Sequence, residues 1–283
     1  MARRSVLFTP GDRPEMLRKA PGTGADVVVF DLEDGVAPAR KAEARSAIRE
    51  VLTDPTFDPD CEVCLRVNPV GLAAAEDVGA VAGPALRLDA VMLPKPTSAD
   101  DVAQLGRLLA EHDLAVPVFA LIESAAGLLA AQELAAAEPT AALAFGAEDY
   151  TADVGATRTH EGTEVLYAKQ HVVAAAAAAG VDAIDTIHAD IEDVEGLGEA
   201  TRRAVGLGFD GKMCIHPRQV GPVTEAFTPE PAEVEWARKV LAAEREASAE
   251  ERGVFTVDGE MIDAPLVARA EQIAERAGLD IGE

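Results

Sequence analysis

The sequence predicts a parallel (βα)8 barrel followed by a helical extension. Three observations support this fold class. Short apolar runs rich in β-branched residues recur about eight times, alanine-rich helical stretches follow most of them, and each run ends in polar residues, glycine or proline. Near-continuous apolarity is typical of parallel strands that are covered on both faces. A chain of 283 residues suits a single barrel of this kind.

The eight predicted strands are spaced as the units of such a barrel are. They are Ser5–Thr9, Asp26–Phe30, Glu62–Val67, Ala90–Leu93, Val118–Ile122, Ala142–Phe145, Ala183–Ile187 and Lys212–Ile215. The helices predicted between them include Pro38–Leu52, Ser98–Glu111, Gly127–Ala137, Glu164–Ala179 and Val194–Val205. A doubly wound open sheet is the alternative fold. It predicts a glycine-rich phosphate loop after the first strand, which Thr9-Pro10-Gly11-Asp12 does not provide.

The pattern changes after the eighth strand, so we expect a barrel over residues 1–221 and an extension over 222–283. Pro229–Ser248 is predicted to form a charged amphipathic helix, and Val254–Val257 a short extended segment. Asp258-Gly259 predicts a turn, and Ala264–Ala277 predicts a last helix. A barrel closes without these elements, so we expect them to form an arm or lid.

The composition is strongly acidic. The formal net charge is −25, from 50 acidic and 25 basic residues. Such a surface repels nucleic acid and anionic membranes, so neither is an expected partner. The acidic residues are dispersed rather than gathered in blocks, which favours adaptation to high salt over an acidic interaction tail. No apolar run reaches membrane length, and the basic start at Arg3 is followed by too short an apolar run for a signal peptide. We therefore expect a cytoplasmic protein.

The three cysteines do not predict a metal or redox site. Cys61 and Cys64 form a single C-x-x-C pair, and residues three apart in an extended segment point to opposite faces. Cys214 stands alone. Buried, apolar cysteines are the favoured interpretation.

The strongest functional signal is the charge at the predicted strand ends, because barrel enzymes place their chemistry at the carboxyl ends of the strands. Carboxylates after strands two, five and six would meet at one mouth beside Arg66. Packed carboxylates repel one another unless a cation or protons intervene. Oxygen ligands without clustered His or Cys favour Mg²⁺, with Mn²⁺ as a substitute. The residues concerned are Asp31, Glu33, Asp34, Glu123 and Asp149.

Among these carboxylates we predict Glu123 and Asp149 to bind the metal directly. Asp31, Glu33 and Asp34 would then hold water molecules bound to it. The alternative is helix capping, since Asp34 and Asp149 both precede helical stretches. Capping explains one acidic residue in each loop, but it does not explain all five carboxylates, so a metal site is favoured. The backbone amides of Ala147, Glu148 and Asp149, where a helix begins, would suit a substrate carboxylate.

Two histidines also follow predicted strands. His188 and His216 would be placed to contact substrate, and a structural imidazole bonded to a carbonyl is an equal alternative. A Ser-His-Asp triad is not indicated, because Ser124 lacks the surroundings of a nucleophile elbow.

Several motifs in order resemble the citrate lyase β-subunit-like proteins of the HpcH/HpaI aldolase/citrate lyase family. The resemblance runs nearly from end to end. Its segments are 6–13 (VLFTPGDR), 30–36 (FDLEDGV), 65–68 (LRVN), 93–95 (LPK), 122–127 (IESAAG), 146–150 (GAEDY), 208–212 (GFDGK), 215–217 (IHP) and 258–263 (DGEMID).

The resemblance implies roles for particular residues. It implies Mg²⁺ on Glu123 and Asp149, and Arg66 facing the reacting oxygen. It further implies a trimer or hexamer in which a lid acid enters the neighbouring subunit's site, and it assigns proton transfer to that acid, Asp263. On sequence alone, Asp263 is better explained as the N-cap of the last helix. Arg13 and Lys19 match positions expected to help hold coenzyme A (CoA), and His216 and Pro217, after the eighth strand, are further candidates for binding the substrate or CoA.

The activity that the resemblance implies is cleavage or formation of a small 3-hydroxyacyl-CoA thioester. Malyl-CoA, β-methylmalyl-CoA and citramalyl-CoA are the expected substrates, with acetyl- or propionyl-CoA and glyoxylate or pyruvate as products. Alternatives are a malyl-CoA thioesterase that uses the same site, the citryl-thioester lyase subunit of a citrate lyase complex, and a non-catalytic barrel.

Overall fold

The barrel is closed by eight parallel strands in sequence order, and β1 pairs with β8 to complete it. The computed structural model describes residues 2–249 and 253–279. The predicted (βα)8 fold is therefore confirmed. The strands are β1 (Ser5–Pro10), β2 (Val27–Asp31), β3 (Glu62–Arg66), β4 (Ala90–Pro94), β5 (Val118–Ile122), β6 (Thr140–Phe145), β7 (Asp182–Asp185) and β8 (Gly211–Cys214).

The helices connect the strands and cover the sheet. In the barrel they are α1 (Pro14–Lys19), α2 (Lys41–Leu52), α3 (Ala74–Val81), α4 (Ala99–Ala110), α5 (Ala125–Leu129), α6 (Ala131–Ala136), α7 (Ala147–Val154), α8 (Leu166–Ala179), α9 (Val194–Leu207) and α10 (Pro217–Phe227). The helix predicted over 127–137 is instead two helices that meet at Ala130 and start two residues earlier. Its start is set by Ser124, whose hydroxyl accepts a hydrogen bond from the Gly127 amide.

The barrel interior is filled by side chains rather than open. Val29, Met92, Phe119 and Ile184 are fully buried there. Burying such side chains stabilises the fold by about 1.5–3 kcal/mol each, before the entropy of ordering them is counted. The register places Asp31 at the end of β2 beside Arg66 at the end of β3. This register brings the Asp31 and Arg66 side chains together at the carboxyl end of the barrel.

The amino-terminal end of the barrel is closed by an arginine. Arg3 donates to Glu62 through Nε at 2.7 Å and to Asp182 through Nη1 at 2.7 Å. Its guanidinium also lies 4.7 Å from the centre of the Phe119 ring. Arg4 pairs with Asp26 beside it. These contacts pair Arg3 and Arg4 with acidic side chains at this end of the barrel.

The chain divides into two compact units, residues 1–224 and 225–283. The second unit contains α11 (Pro231–Ala249), an antiparallel pair formed by β9 (Phe255–Val257) and β10 (Glu260–Ile262), and α12 (Ala264–Arg276). Its core includes Ala237, Val240 and Phe255. Asp263 immediately precedes α12, yet its side chain makes no capping hydrogen bond. Asp263 thus occupies the N-cap position expected from sequence alone, but without the side-chain hydrogen bond of a cap.

The cysteines are free thiols. Cys64 and Cys214 are buried, and burial raises the pKa of Cys214 to about 12. Cys61 departs from expectation because it is only partly buried. Over the described residues, no helix combines the length and apolarity needed to cross a membrane.

Candidate active site

A cavity of about 260 Å³ opens at the carboxyl ends of the strands. Phe8, Leu121, Ile187 and Met213 form its apolar wall, and charged groups from β2, β3, β5 and the start of α7 face the same space. The structure thus brings together residues that the sequence analysis singled out on separate strands. Those lining the cavity are Asp31, Arg66, Glu123, Ala147, Glu148 and Asp149.

Glu123 follows β5 and is held by backbone groups. Its carboxylate is 4% exposed, and Oε1 accepts a hydrogen bond from the Lys95 amide at 3.0 Å. Gly146, the residue before α7, packs directly against it. A Cβ at Gly146 would lie 2.7 Å from Glu123 Cβ and 2.9 Å from Oε2. The glycine therefore makes the space in which this carboxylate sits.

The charge on Glu123 is poorly compensated by the protein. Burial, reinforced by the charges of Glu33 and Asp149, raises the pKa of Glu123 to about 8, although Lys95 and Arg66 act in the opposite direction. Asp149 lies in the first turn of α7 and lines the same cavity. Two oxygen donors that repel each other suit a hard divalent cation.

Such a cation would have few protein ligands. Within residues 2–249 and 253–279, no three His, Cys, Asp or Glu side chains are arranged to hold a metal. A pair of carboxylates with water and substrate oxygens completing the shell is the arrangement that Mg²⁺ commonly accepts. Glu123 and Asp149 fit that arrangement.

Arg66 is fixed in place by two carboxylates. Its Nε and Nη2 donate to Asp31 at 2.7 and 2.6 Å, and Nη1 lies 2.8 Å from Glu33 Oε2. Burial would lower the pKa of Arg66, but these acids outweigh it and raise the pKa. The guanidinium also stacks 4.9 Å from the Phe8 ring centre. Arg66 is thus a permanently charged group with a defined orientation.

Asp31 is fully engaged by the protein. Besides Arg66, its carboxylate accepts hydrogen bonds from the amides of Glu33 and Gly35, both at 2.8 Å. A Cβ on Gly35 would lie 2.3 Å from Asp31 Oδ2, so only glycine allows the amide this approach. The direct partners of Asp31 are therefore protein groups, and its predicted role in holding water stays a prediction.

Lys95 is a site residue that the sequence analysis did not select. It follows β4 directly and has a φ of 54°, in the left-handed region that non-glycine residues rarely adopt. Its amide holds Glu123 and its Nζ donates to Glu33 at 2.6 Å and to Asp34 at 3.3 Å. The available signal was its position between two prolines at a strand end.

Thr186 is a second site residue that the sequence analysis did not select, and it accepts a hydrogen bond from the first turn of α7. The Ala147 amide donates to the hydroxyl of Thr186, which is buried beyond the end of β7. The first amides of a helix have no partner within the helix. Thr186 takes up one of the three donors predicted to meet a substrate carboxylate, which leaves the amides of Glu148 and Asp149 for that role.

Six of the residues selected in the barrel do not line the cavity, and one of them, Glu33, is buried and pairs with Arg66 and Lys95. Arg13 and Lys19 are exposed around α1, and Asp34 is exposed beside Lys95. His216 and Pro217 follow β8, where the His216 imidazole accepts a hydrogen bond from the Arg218 amide. Their predicted roles toward CoA or the metal stay predictions. His188 lies 3.3 Å from Asp193, which indicates a structural contact for its imidazole.

The fold and this site define a barrel enzyme with an acidic centre suited to a divalent cation. The chain belongs to the HpcH/HpaI aldolase/citrate lyase family, which residues 4–217 match.

Three curated relatives illustrate the family. A citrate lyase subunit beta-like protein of Mycobacterium tuberculosis is 43% identical, over 96% of this chain and 94% of its own. The mitochondrial citramalyl-CoA lyase of Mus musculus is 36% identical over 97% and 86%. Citrate lyase subunit beta of Leuconostoc mesenteroides is 36% identical over 97% and 93%. These relatives confirm the predicted class of enzyme, a carbon–carbon lyase acting on thioesters of the acyl-CoA type.

Solved structures agree with this class. Protein CitE from Mycobacterium tuberculosis, in complex with magnesium, acetoacetate and coenzyme A, has a TM-score of 0.80 and 41% identity, covering 98% of both chains. A citrate lyase beta subunit from the same organism, complexed with oxaloacetate and magnesium, has a TM-score of 0.70 and 40% identity, over 81% of this chain and 98% of its own. Magnesium in both structures and coenzyme A in the first support the predicted Mg²⁺ and CoA thioester.

Proposed function

We propose that this protein is a Mg²⁺-dependent lyase that cleaves, or in reverse forms, a small 3-hydroxyacyl-CoA thioester. Citramalyl-CoA, malyl-CoA and β-methylmalyl-CoA are the candidate substrates. The observation that carries the proposal is the meeting of Glu123 and Asp149 with the ion-paired Arg66 around one cavity. The cavity is large enough for the acyl end of such a substrate and too small for a whole CoA.

In this proposal Glu123 and Asp149 hold the metal. When bound, Mg²⁺ supplies Lewis-acid polarisation of the oxygen that becomes the product carbonyl. The Lys95 amide keeps Glu123 pointed into the cavity, and Gly146 leaves room for it. The amides of Glu148 and Asp149 receive the carboxylate of the departing keto acid.

Arg66 stabilises the negative charge that develops during cleavage. Of the five N–H donors of the guanidinium, two are used in hydrogen bonds to Asp31, while Nη1 is ion-paired with Glu33, so further N–H groups remain for substrate oxygen. Because its partners hold it rigidly, Arg66 needs little reorganisation as charge develops. Such preorganised donors contribute about 2.7–4 kcal/mol each to transition-state stabilisation.

The bond that breaks joins the hydroxyl-bearing carbon to the carbon next to the thioester. The hydroxyl proton passes to water, the hydroxyl carbon becomes the carbonyl of glyoxylate or pyruvate, and the electron pair passes into a thioester enolate. We propose that Asp263 in its protonated form gives its proton to that enolate, which yields acetyl- or propionyl-CoA, and regains a proton from water. The absence of a capping bond supports this role, because it leaves the carboxylate available.

We further propose that residues 225–283 act as a lid that delivers Asp263 to a neighbouring subunit in a homotrimer or hexamer. Arg13, Lys19, His216 and Pro217 would contribute to the CoA site. The acidic surface supports a cytoplasmic enzyme working at high salt.

A second candidate is the citryl-thioester lyase subunit of a citrate lyase complex. Its support is the Leuconostoc subunit, which this chain matches over 93% of its length. The chemistry would be the same, but the thioester would be carried by a partner protein rather than by free CoA.

The test is product analysis with purified protein, Mg²⁺ and a panel of hydroxyacyl-CoA esters. Pyruvate or glyoxylate released with an acyl-CoA supports the lyase. Malate with free CoA would instead identify a thioesterase. Glu123→Gln should abolish turnover, whereas Glu133→Gln, on the exposed face of α6, should leave it unchanged. Absence of any product from the whole panel would refute activity on free CoA esters and favour the citrate lyase subunit.

A further inference from the structure

A second cavity, of about 310 Å³, adjoins the first. The two share Glu148, Thr186 and Ile187 as a common wall. Four of the chain's 25 lysine and arginine residues and two of its five histidines line the second cavity. In so acidic a chain this is a concentration of basic groups in one place, and the chemistry proposed above does not use it.

The interior of this cavity has one more positive charge than negative. Lys169 and Lys212 both line it, and both bind the same carboxylate, Asp185, at 2.8 Å. Lys212 and Asp185 are almost completely buried, and Lys169 is 15% exposed. Burial raises the pKa of Asp185, but the two lysines outweigh it, so the net shift is downward. Burial lowers the pKa of Lys169, and Asp185 opposes that shift in part. A buried excess charge is costly unless an opposite charge meets it.

A second uncompensated charge comes from α9. Arg203 lines the cavity and donates to the His160 carbonyl at 3.4 Å. Its side chain is exposed, and it forms no ion pair with a carboxylate of residues 2–249 or 253–279. This leaves its guanidinium available to a ligand.

The remaining charges do not cancel these two. Arg158 is paired with Glu148 and with Glu164, so that group is satisfied internally. Glu161 and Asp190 are exposed at the rim, where water and salt screen them. Lys212 is buried and Lys169 mostly so, and both act in a less polar medium, so they dominate the field inside the cavity. The exposed Arg203 is screened in the same way as Glu161 and Asp190.

We propose that this second cavity binds a small dianion, held between the Lys169–Lys212 pair and Arg203. A phosphate group and a short dicarboxylate share this chemistry. The volume is near the lower end of the usual range for ligand sites, which favours a small ligand. This inference does not depend on the reaction proposed for the first cavity.

Isothermal titration calorimetry on the full-length protein at constant ionic strength tests the proposal, with inorganic phosphate and succinate as separate probes. We expect saturable 1:1 binding of at least one probe. Arg203→Gln should weaken it by about tenfold or more, the loss of one charge-assisted hydrogen bond. Arg203→Lys should restore part of the affinity. Arg202→Gln is the matched control, because Arg202 is exposed on the same helix and outside the cavity lining.

The two probes identify the source of the dianion. Weakened binding of phosphate alone in Arg203→Gln indicates a phosphate-bearing ligand, and weakened binding of succinate alone indicates a dicarboxylate. Succinate binding that is insensitive to Arg203→Gln but lost in Arg66→Ala places that probe in the first cavity. The proposal is overturned if succinate behaves in this way and phosphate binding is not weakened by Arg203→Gln. Equal affinity in the Arg203→Gln and Arg202→Gln variants, or no binding of either probe, also overturns it.

Discussion

Replacing Gly146 by alanine should disable the site by displacing one carboxylate. Gly146 has a φ of −95°, so alanine can adopt its backbone conformation. The added methyl would lie 2.7 Å from Glu123 Cβ and 2.9 Å from Oε2. Restoring ordinary contact requires a movement of about 0.7 Å. Leu121 closes the other side at 3.5 Å, so Glu123 has to give way.

Two consequences follow from that displacement. Overpacking of this kind destabilises a fold by about 1–3 kcal/mol. Misplacing a reacting or binding group by about 1 Å costs roughly 10²-fold in rate. We therefore expect Gly146→Ala to lose about two orders of magnitude in turnover and to bind Mg²⁺ or Mn²⁺ more weakly.

Calorimetric metal titration, steady-state kinetics and urea denaturation measure the three effects separately. Gly206→Ala is the matched control. It lies inside α9 with nothing within 4 Å of the new methyl, so it should be neutral or stabilising by about 0.5–1 kcal/mol. Wild-type turnover and metal affinity in Gly146→Ala would refute the reasoning.

Three further predictions concern Lys95, Asp263 and salt. Lys95→Gly and Lys95→Ala should both lower turnover, because both remove the ammonium group from Glu33. In urea denaturation, Lys95→Gly should be more stable than Lys95→Ala by about 1 kcal/mol, because alanine is strained in the left-handed backbone conformation and glycine is not. Equal stabilities of the two variants would contradict this expectation. Asp263→Asn should lower the rate by about 10²–10⁴ and leave the thermal midpoint unchanged. Glu260→Gln is the exposed control. Near-normal turnover in the Asn variant would remove Asp263 from the mechanism. The thermal midpoint should rise with KCl into the molar range because salt screens the net charge of −25, and a steady fall would show that the acidity has another cause.

The strands were predictable because each is buried on both faces and therefore apolar throughout. Each of the eight predicted runs overlaps an observed strand. Short or irregular helices were harder to predict from the sequence. α1 has six residues, α3 is short and contains Gly79, and α10 contains Pro222 in its interior, which usually ends a helix. Local sequence in these segments is ambiguous, and packing against the barrel decides their structure.

The site was predictable as a set of residue types at strand ends, but its pairings were not. Whether Asp31 meets Arg66 or a metal depends on the register between β2 and β3, and register is a tertiary property. Lys95 acquires its role from a left-handed backbone, and Thr186 from the approach of β7 to α7. Neither feature produces a pattern of residues from which it could be predicted.

The seam between β1 and β8 has a consequence for how the chain is made. β1 pairs with β2 on one edge and with β8 on the other, although about two hundred residues separate β1 from β8. During synthesis the second edge of β1 has no partner until β8 has left the ribosome. An open strand edge is a site for pairing with other chains. The dense negative charge of the nascent chain would keep neighbouring copies apart during this interval, so it would protect assembly as well as the finished enzyme.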